Sequence, residues 1–105
     1  MIEYEEKFLS SFDTSLEELI KEWEKELFFS HERISEFITT VYKRIELLRQ
    51  FPYMCMDVSD LYEFQVKTYR CLLGKNYAFF YRINEEKKQL YIGRIFSTKQ
   101  MVLDF

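Results

Sequence analysis

Four basic residues in the last third of the sequence have the side chains needed to hold phosphate and stabilise its charge. They are Arg70, Arg82, Arg94 and Lys99. A guanidinium group presents five N–H donors in a planar fork that matches phosphate oxygens, and a lysine adds a point charge. Three further residues are suited to RNA contacts, namely Lys67, Lys75 and Phe80. Lysines neutralise backbone phosphates and an aromatic ring can stack on a base.

Three segments rich in aromatic and β-branched residues are expected to position these side chains. They span 66–73, 77–84 and 89–96 and are separated by "GKN" and by the polar "EEKK". Strands joined by such short turns pair with their sequence neighbours in antiparallel order. The sequence therefore predicts a three-stranded antiparallel meander in the last third of the chain.

A draft register assigns the side chains of the meander to two faces, because successive residues of a strand point to opposite sides. Leu73 is paired with Tyr77, and Ile83 with Gln89. One face is then apolar and aromatic and is interpreted as the core: Tyr69, Cys71, Leu73, Tyr77, Phe79, Tyr81, Ile83, Tyr91 and Ile95. The other face carries Arg70, Leu72, Ala78, Phe80, Arg82, Leu90, Ile92, Arg94 and Phe96.

On this second face the register places Arg70 opposite Phe80 and Arg94 opposite Ala78. Guanidinium groups interleaved with aromatic rings suit phosphate contacts and base stacking. An ordinary solvated sheet face with flexible arginines fits the same residues equally well.

The first half of the chain is predicted to supply a strand and a helix hairpin. Residues 2–8 alternate like a short strand, with Ile2, Tyr4 and Phe8 on one side. Asp13, Thr14 and Ser15 are candidate N-caps of a first helix, and Thr14 with Glu17 and Ser15 with Glu18 match the capping box. Ser30 is the predicted N-cap of a second helix, which is expected to end near Gln50, before Pro52. Residues 52–64 are expected to be irregular. The predicted fold class is α+β: an N-terminal strand, an antiparallel helix hairpin and then the meander, in one domain spanning 1–105.

Charge is distributed unevenly along the chain. Residues 1–60 contain 7 basic and 14 acidic residues, whereas residues 61–105 contain 8 basic and 4 acidic ones, within a net charge of -3. This asymmetry suggests a basic C-terminal surface that could meet phosphate or an acidic partner, although an uneven scatter of solvated charges explains it equally well.

Other kinds of site find little support in the sequence. The single histidine, His31, has no partner at a catalytic or metal-binding spacing, so no metal or cofactor is expected. Cys55 and Cys71 are interpreted as free thiols in a reducing compartment, and a disulfide is not expected. Because no apolar run reaches the length of a membrane span, we expect a cytoplasmic protein without a membrane partner.

The order of elements, together with "RCLLGKNYAFFYRINEEKKQLYIGRIFSTKQ", resembles the RelE/ParE superfamily of bacterial type II toxins. The more specific part is R-x-L-x-x-x-x-Y-x-x-x-Y at Arg70, Leu72, Tyr77 and Tyr81. The segments "YEEKFLSSFDTSLEELIKEW" and "RIELLRQFP" resemble the family's first strand and helix and the end of its second helix. The resemblance therefore covers nearly the whole chain.

This resemblance implies the toxin of a chromosomal or plasmid toxin-antitoxin pair, bound by a cognate antitoxin. Members similar to RelE cleave messenger RNA on the ribosome without metal or cofactor, whereas members similar to ParE inhibit DNA gyrase without nuclease activity. A catalytically weakened homologue that only binds antitoxin is a further alternative. A homodimer and a toxin-antitoxin hetero-oligomer both remain open.

One position departs from the pattern of the nuclease members. They often carry an arginine directly after the tyrosine that matches Tyr77, and this sequence has Ala78 there. The draft register suggests that Arg94, opposite Ala78, supplies the guanidinium instead. Arg70, Arg82 and Lys99 would then complete the catalytic cluster.

Overall fold

Two helices and a five-stranded sheet form the protein in the computed structural model, which describes residues 2–105. The elements in chain order are β1 (Glu5–Phe8), α1 (Ser10–Lys25), α2 (His31–Gln50), β2 (Met56–Asp57), β3 (Tyr69–Leu73), β4 (Tyr77–Asn84) and β5 (Gln89–Ser97). The strand order across the sheet is β1-β5-β4-β3-β2. Strand β1 runs parallel to β5, and the other neighbours are antiparallel. The α+β prediction is confirmed, with β2 as an additional short strand in the segment predicted to be irregular.

The first helix begins earlier than the capping patterns indicate. Leu9 is its N-cap residue and makes no side-chain capping bond. The Leu9 amide instead donates to the Ile92 carbonyl at 3.0 Å, so the chain turns into the helix directly after β1. The predicted cap residue Ser15 lies inside the helix and is buried. The capping prediction at Asp13, Thr14 and Ser15 was therefore wrong.

The second helix agrees with its sequence pattern. The Ser30 hydroxyl accepts a hydrogen bond from the Arg33 amide at 3.1 Å, as an N-cap should. The helix buries Ile34, Val41, Ile45 and Leu48, which form one apolar stripe at spacings of seven, four and three residues. It ends at Gln50, two residues before Pro52.

The main core lies between the helices and one face of the sheet. Both helices and strands β3, β4 and β5 contribute buried residues: Phe12, Leu19, Trp23, Ile34, Val41, Ile45, Leu48, Tyr69, Cys71, Leu73, Phe79, Tyr81, Leu90, Ile92 and Ile95. Trp23 packs edge-on against Phe37 and donates its indole N–H to the Tyr77 hydroxyl at 2.8 Å. Tyr4 is buried as expected, whereas Ile2 is exposed.

The draft register is correct between β3 and β4 and wrong between β4 and β5. Leu73 pairs with Tyr77, and Arg70 with Phe80, as predicted. In the next ladder Gln89 pairs with Asn84 instead of Ile83. This one-residue slip exchanges the inward and outward side chains at the start of β5, because successive side chains of a strand point to opposite faces. Leu90 and Ile92 therefore lie in the core and Tyr91 does not.

A β-bulge in β5 changes the register a second time. Phe79 pairs with Ile95 and Tyr81 with Ile92, so Gly93 and Arg94 both stand opposite the single residue Phe80. The bulge returns Ile95 to the core. Ala78 pairs with Phe96, so the predicted pairing of Arg94 with Ala78 was wrong.

Candidate nucleic-acid interface

The outer face of the sheet, defined as the side of β3, β4 and β5 opposite the helices, carries the three predicted arginines. Phe80 lies at its centre, paired with Arg70 on β3 and facing the bulge residue Arg94 on β5. With strands spaced about 4.8 Å apart, the backbones of Arg70 and Arg94 are roughly 10 Å apart. Arg82 lies one pleat further along β4. The structure therefore brings the three arginines onto one small surface.

Two chain segments cover much of the outer face. We call residues 58–64 and 101–105 the cover. They contribute Val58, Tyr62, Phe64, Val102 and Phe105 to a second, smaller apolar cluster with Ala78, Phe80 and Phe96. Phe80 is 0% exposed. Stacking of a base on Phe80, as the sequence suggested, would require the cover to move.

Arg70 and Arg94 each have a buried donor without an acceptor. Their Nε atoms are buried and make no hydrogen bond within residues 2–105. One terminal nitrogen of Arg70 donates to the Tyr62 hydroxyl at 3.1 Å, and the backbone amide of Arg94 donates to the Phe105 backbone oxygen at 2.8 Å. A buried unpaired donor costs about 1–3 kcal/mol. An oxygen-rich anion at this surface would supply acceptors for both.

Arg82 is held by an aromatic ring and a hydroxyl. Its guanidinium carbon lies 3.9 Å from the centre of the Phe105 ring and 5.5 Å from that of Phe64. Its Nε donates to the Thr68 hydroxyl at 3.0 Å. Burial lowers the pKa of Arg82, although a guanidinium stays protonated at neutral pH. These cation–π contacts thus stabilise the positive charge of Arg82, which a phosphate would otherwise do.

Within residues 2–105, none of these three arginines forms an ion pair. The ion pairs there belong to Lys7, Arg49 and Lys88, which lie elsewhere on the protein. Positive charges without carboxylate partners raise the local potential and attract anions. The electrostatics of the outer face thus favour an anionic ligand.

A cleft of about 530 Å³ beside Arg94 has a different character. It lies between α1 and the residues that follow β5, and Glu18, Glu22 and Asp104 line it together with Arg94. Carboxylates on its walls would repel a phosphate. An anion is therefore not expected in this cleft.

The predicted lysines lie at opposite ends of the outer face. Lys75 and Lys99 are neighbours, since the Thr98 hydroxyl donates to the Lys75 carbonyl at 3.0 Å. Lys67 directly precedes the Thr68 that holds Arg82. Five residues of β4 separate Arg82 from the end that carries Lys99, which is roughly 17 Å. The structure therefore does not gather Lys99 and Arg82 around one phosphate.

Similar architectures occur in two solved toxin-antitoxin complexes. The RelBE2 complex of Mycobacterium tuberculosis contains a chain matched with a TM-score of 0.60 at 14% identity, over 91% of this chain and 99% of that one. The intact RelBE complex of E. coli contains one matched with a TM-score of 0.52 at 14% identity, over 92% and 99%. The chain shares the fold of these matched chains. No protein-family model matches the sequence, and neither does any curated protein.

Within this fold, Ala78 lies in a buried position. It is 0% exposed and packs in the small cluster with Val58 and Phe96. Inserting a long side chain into a packed cluster forces its neighbours apart. An arginine at position 78 would therefore require the cover to be displaced, which gives a packing reason for the alanine.

Sequence reasoning did not identify the residues that hold the arginines, namely Tyr62, Phe64, Thr68 and Phe105. The density of aromatic residues in "DLYEF" and the apolar end "MVLDF" were the available signals. Gly93 is a further one: an added Cβ there would lie 2.7 Å from the Phe105 backbone oxygen and 2.8 Å from its ring. Only glycine leaves room for Phe105 against β5.

The remaining residues considered from the sequence lie outside this face. His31 is exposed at the first position of α2. Cys55 and Cys71 are free thiols. Within residues 2–105 no cluster of histidine, cysteine and carboxylate side chains could hold a metal ion, and no helix is long and apolar enough to cross a membrane.

Proposed function

We propose that this chain is the toxin of a toxin-antitoxin pair and that its outer face binds RNA during messenger RNA cleavage on the ribosome. The observation that carries the proposal is the pair of buried Nε donors of Arg70 and Arg94. They have no acceptor in the described part of the chain and flank one residue, Phe80. Phosphate oxygens are strong acceptors for guanidinium groups. The fold shared with chains of the RelBE complexes supports the same assignment.

The arginines would act by charge stabilisation. Attack on a phosphodiester adds negative charge to the phosphate oxygens, and fixed guanidinium groups stabilise that charge as it develops. Arginine does not accept protons at neutral pH, so it cannot also be the general base. The hydroxyl of Tyr62, which accepts a hydrogen bond from Arg70, can exchange a proton beside the cluster. We assign to Tyr62 the transfer of a proton during cleavage. The chemistry requires no metal or cofactor.

RNA binding would require part of the cover to move. Phe105 stacks on Arg82, and Tyr62 accepts from Arg70. An incoming phosphate would replace the ring over Arg82 and fill the acceptor positions of Arg70 and Arg94. Lys67 at one end and Lys75 with Lys99 at the other would then contact neighbouring phosphates along an extended strand.

The cognate antitoxin would bind beside the cover. Leu61, Met101 and Leu103 are 65%, 90% and 72% exposed and line one cleft along the two cover segments. Exposed apolar side chains of this kind mark protein contacts. An antitoxin segment seated there would hold the cover closed and block RNA, and the assembly would be a toxin-antitoxin hetero-oligomer.

Two observations favour a second candidate, a protein that binds its targets without cleaving RNA. Ala78 occupies the position of an expected arginine, and Lys99 lies far from Arg82. Such a protein would inhibit DNA gyrase or serve only as an antitoxin-binding module. Its action would not depend on the arginines of the outer face.

Induced expression with and without the neighbouring gene tests both candidates. RNA-end mapping and a DNA supercoiling assay would follow growth arrest for the wild type and for Arg70→Ala, Arg82→Ala and Arg94→Ala. Loss of cleavage in these variants, with cleavage retained in Arg33→Ala on α2, is the expected result. Growth arrest with altered supercoiling and intact RNA would support the gyrase-directed candidate. Unimpaired growth with abundant folded protein would contradict both toxin assignments.

A further inference from the structure

The two cysteines lie opposite each other at the end of the β2–β3 ladder. Met56 pairs with Arg70 and Asp57 with Tyr69 in antiparallel order. Continuing that pairing by one residue places Cys55 across from Cys71. Both side chains belong to the helix-side core, Cys71 fully buried and Cys55 partly buried against it. The sequence, in which fifteen residues separate them, gave no indication of this arrangement.

The hydrogen-bonding pattern of the ladder makes this position suitable for a cross-link. The Val58 amide donates to the Thr68 carbonyl at 2.8 Å. Because hydrogen-bonded and non-hydrogen-bonded pairs alternate, Cys55 and Cys71 form a non-hydrogen-bonded pair, whose Cα atoms are about 4.5 Å apart. Disulfides span Cα separations of about 4.4–6.8 Å. A bond between the two sulfurs therefore needs little movement of the backbone.

The surroundings of Cys55 favour reaction with an oxidant. The Cys71 thiol, the Tyr81 hydroxyl and the charge of Arg44 lower the pKa of Cys55 to about 7, against the opposing effect of burial. The neighbouring Cys55 and burial raise the pKa of Cys71. Thiolates are the reactive form of cysteine, and a partly exposed thiolate beside a second thiol is typical of redox-sensitive pairs.

We propose that Cys55 and Cys71 are a redox-sensitive pair that forms a reversible disulfide when the protein meets a peroxide. The Cys55 thiolate attacks one oxygen of hydrogen peroxide, which forms an S–O bond, breaks the O–O bond and releases hydroxide. The sulfur of Cys71 then attacks the Cys55 sulfur, the S–S bond forms, and the S–O bond breaks. The second hydroxide takes the Cys71 proton, and the first takes the proton that Cys55 lost when it ionised. Two thiols are thereby oxidised by two electrons, and one peroxide is reduced to two waters.

The disulfide would restrain the segment that covers the outer face. It closes a loop that contains residues 56–70, including Tyr62, Phe64 and Thr68, which contact the arginines. A loop of this length limits the unfolded chain enough to raise the melting temperature by roughly 10 °C. Oxidation would therefore hold this part of the cover in place, and a reductant would release it.

The full-length protein tests this directly. Purified wild type is treated with hydrogen peroxide, unfolded, alkylated and weighed by mass spectrometry before and after dithiothreitol. We expect both thiols to be lost together, an intact mass lower by two hydrogen atoms, a Cys55–Cys71 peptide within one molecule, the higher melting temperature, and full recovery with the reductant. Added oxygen atoms without a cross-link, or disulfide-linked dimers, would overturn the proposal.

Two single variants make the test specific. In Cys55→Ser, where the substitution is only partly buried, Cys71 should stay reduced at peroxide concentrations that oxidise the wild type. In Cys71→Ser, Cys55 should take up oxygen and not recover fully with dithiothreitol, because no resolving thiol is present. If Cys71 were oxidised as fast in Cys55→Ser as in the wild type, the proposal that Cys55 reacts first with peroxide would be contradicted.

Discussion

Replacing Phe105 with alanine is expected to destabilise the fold while strengthening phosphate binding. The Phe105 ring lies 3.9 Å from the Arg82 guanidinium carbon and stacks over Phe80 with ring centres 6.4 Å apart. Its backbone oxygen accepts from the Arg94 amide and from the Ser11 hydroxyl. The side chain therefore both fills the small cluster and shields Arg82.

The size of each effect follows from these contacts. A fully buried phenylalanine contributes about 3–5 kcal/mol relative to alanine. Phe105 is only partly buried, so we expect a loss of about 1–2 kcal/mol in the free energy of unfolding. A phosphate that no longer has to displace the ring from Arg82 is spared about 1 kcal/mol of cation–π energy, which corresponds to roughly a fivefold gain in affinity.

Urea denaturation and the binding of a fluorescent single-stranded RNA at fixed salt measure the two quantities. Leu103→Ala is the matched control, since Leu103 belongs to the same segment and is 72% exposed. It should change neither quantity appreciably. Gly93→Ala should reproduce the effect of Phe105→Ala, because the added methyl group would occupy the position of the ring. Weaker RNA binding by a folded Phe105→Ala protein would refute the assignment of Phe105 as a shield.

Three further predictions concern other parts of the structure. Arg94→Ala should weaken RNA binding and reduce the slope of log affinity against log salt by about 1, because one phosphate contact is lost. Ser15→Ala should lower the free energy of unfolding by about 1–3 kcal/mol, since the buried Ile95 amide next to the bulge would lose the Ser15 hydroxyl, its acceptor 3.0 Å away. Hydrogen bonds from Lys88, Tyr4 and Tyr53 lower the pKa of Glu85 to about 2 from 4.5. The Glu85 carboxylate therefore stabilises the fold above pH 4.5, and this contribution should disappear as the pH falls towards 2, as measured by melting temperatures of Glu85→Gln and wild type across that range.

Each of these predictions has a matched control. Arg33→Ala, which removes an arginine from the start of α2, should leave the salt slope unchanged. Ser10→Ala, at an exposed position of the same helix, should have little effect on stability. Glu86→Gln lies in the same turn as Glu85 and should melt like the wild type at every pH. An unaltered salt slope in Arg94→Ala, an unchanged stability in Ser15→Ala, or a pH-independent difference for Glu85→Gln would contradict the respective contact.

The sequence predicts the helices and the main strands because their signals are local. The stripe of α2, its Ser30 cap and the turn between Leu73 and Tyr77 depend on residues close together in the chain. The start of α1 depends instead on a hydrogen bond between Leu9 and Ile92, which no local pattern encodes. The sequence does contain capping boxes at Thr14 and Ser15, but the helix begins before them because of this long-range contact.

The arginines of the candidate site are recognisable from the sequence, but their surroundings are not. Arg70 and Arg82 share a face because their strands alternate, as the draft register predicts. Arg94 lies on the same face only because the β5 bulge compensates for the one-residue slip at the start of that strand. The β5 bulge decides that Arg94 faces Phe80, and Gly93 alone does not reveal a bulge. The cover is also invisible to strand patterns, since its segments 58–64 and 101–105 are irregular and reach the sheet through aromatic contacts between distant residues.

The central claim is that the arginines of the outer face bind the phosphates of RNA. NMR spectra that resolve arginine Nε–H groups, recorded while a short single-stranded RNA is added, test it most directly. Because the Nε donors of Arg70 and Arg94 have no acceptor within residues 2–105, their resonances should shift downfield and become protected from exchange with water. Saturable shifts at these two groups would support the account. Shifts confined to α1 and α2, or RNA binding that leaves both groups unchanged, would contradict it.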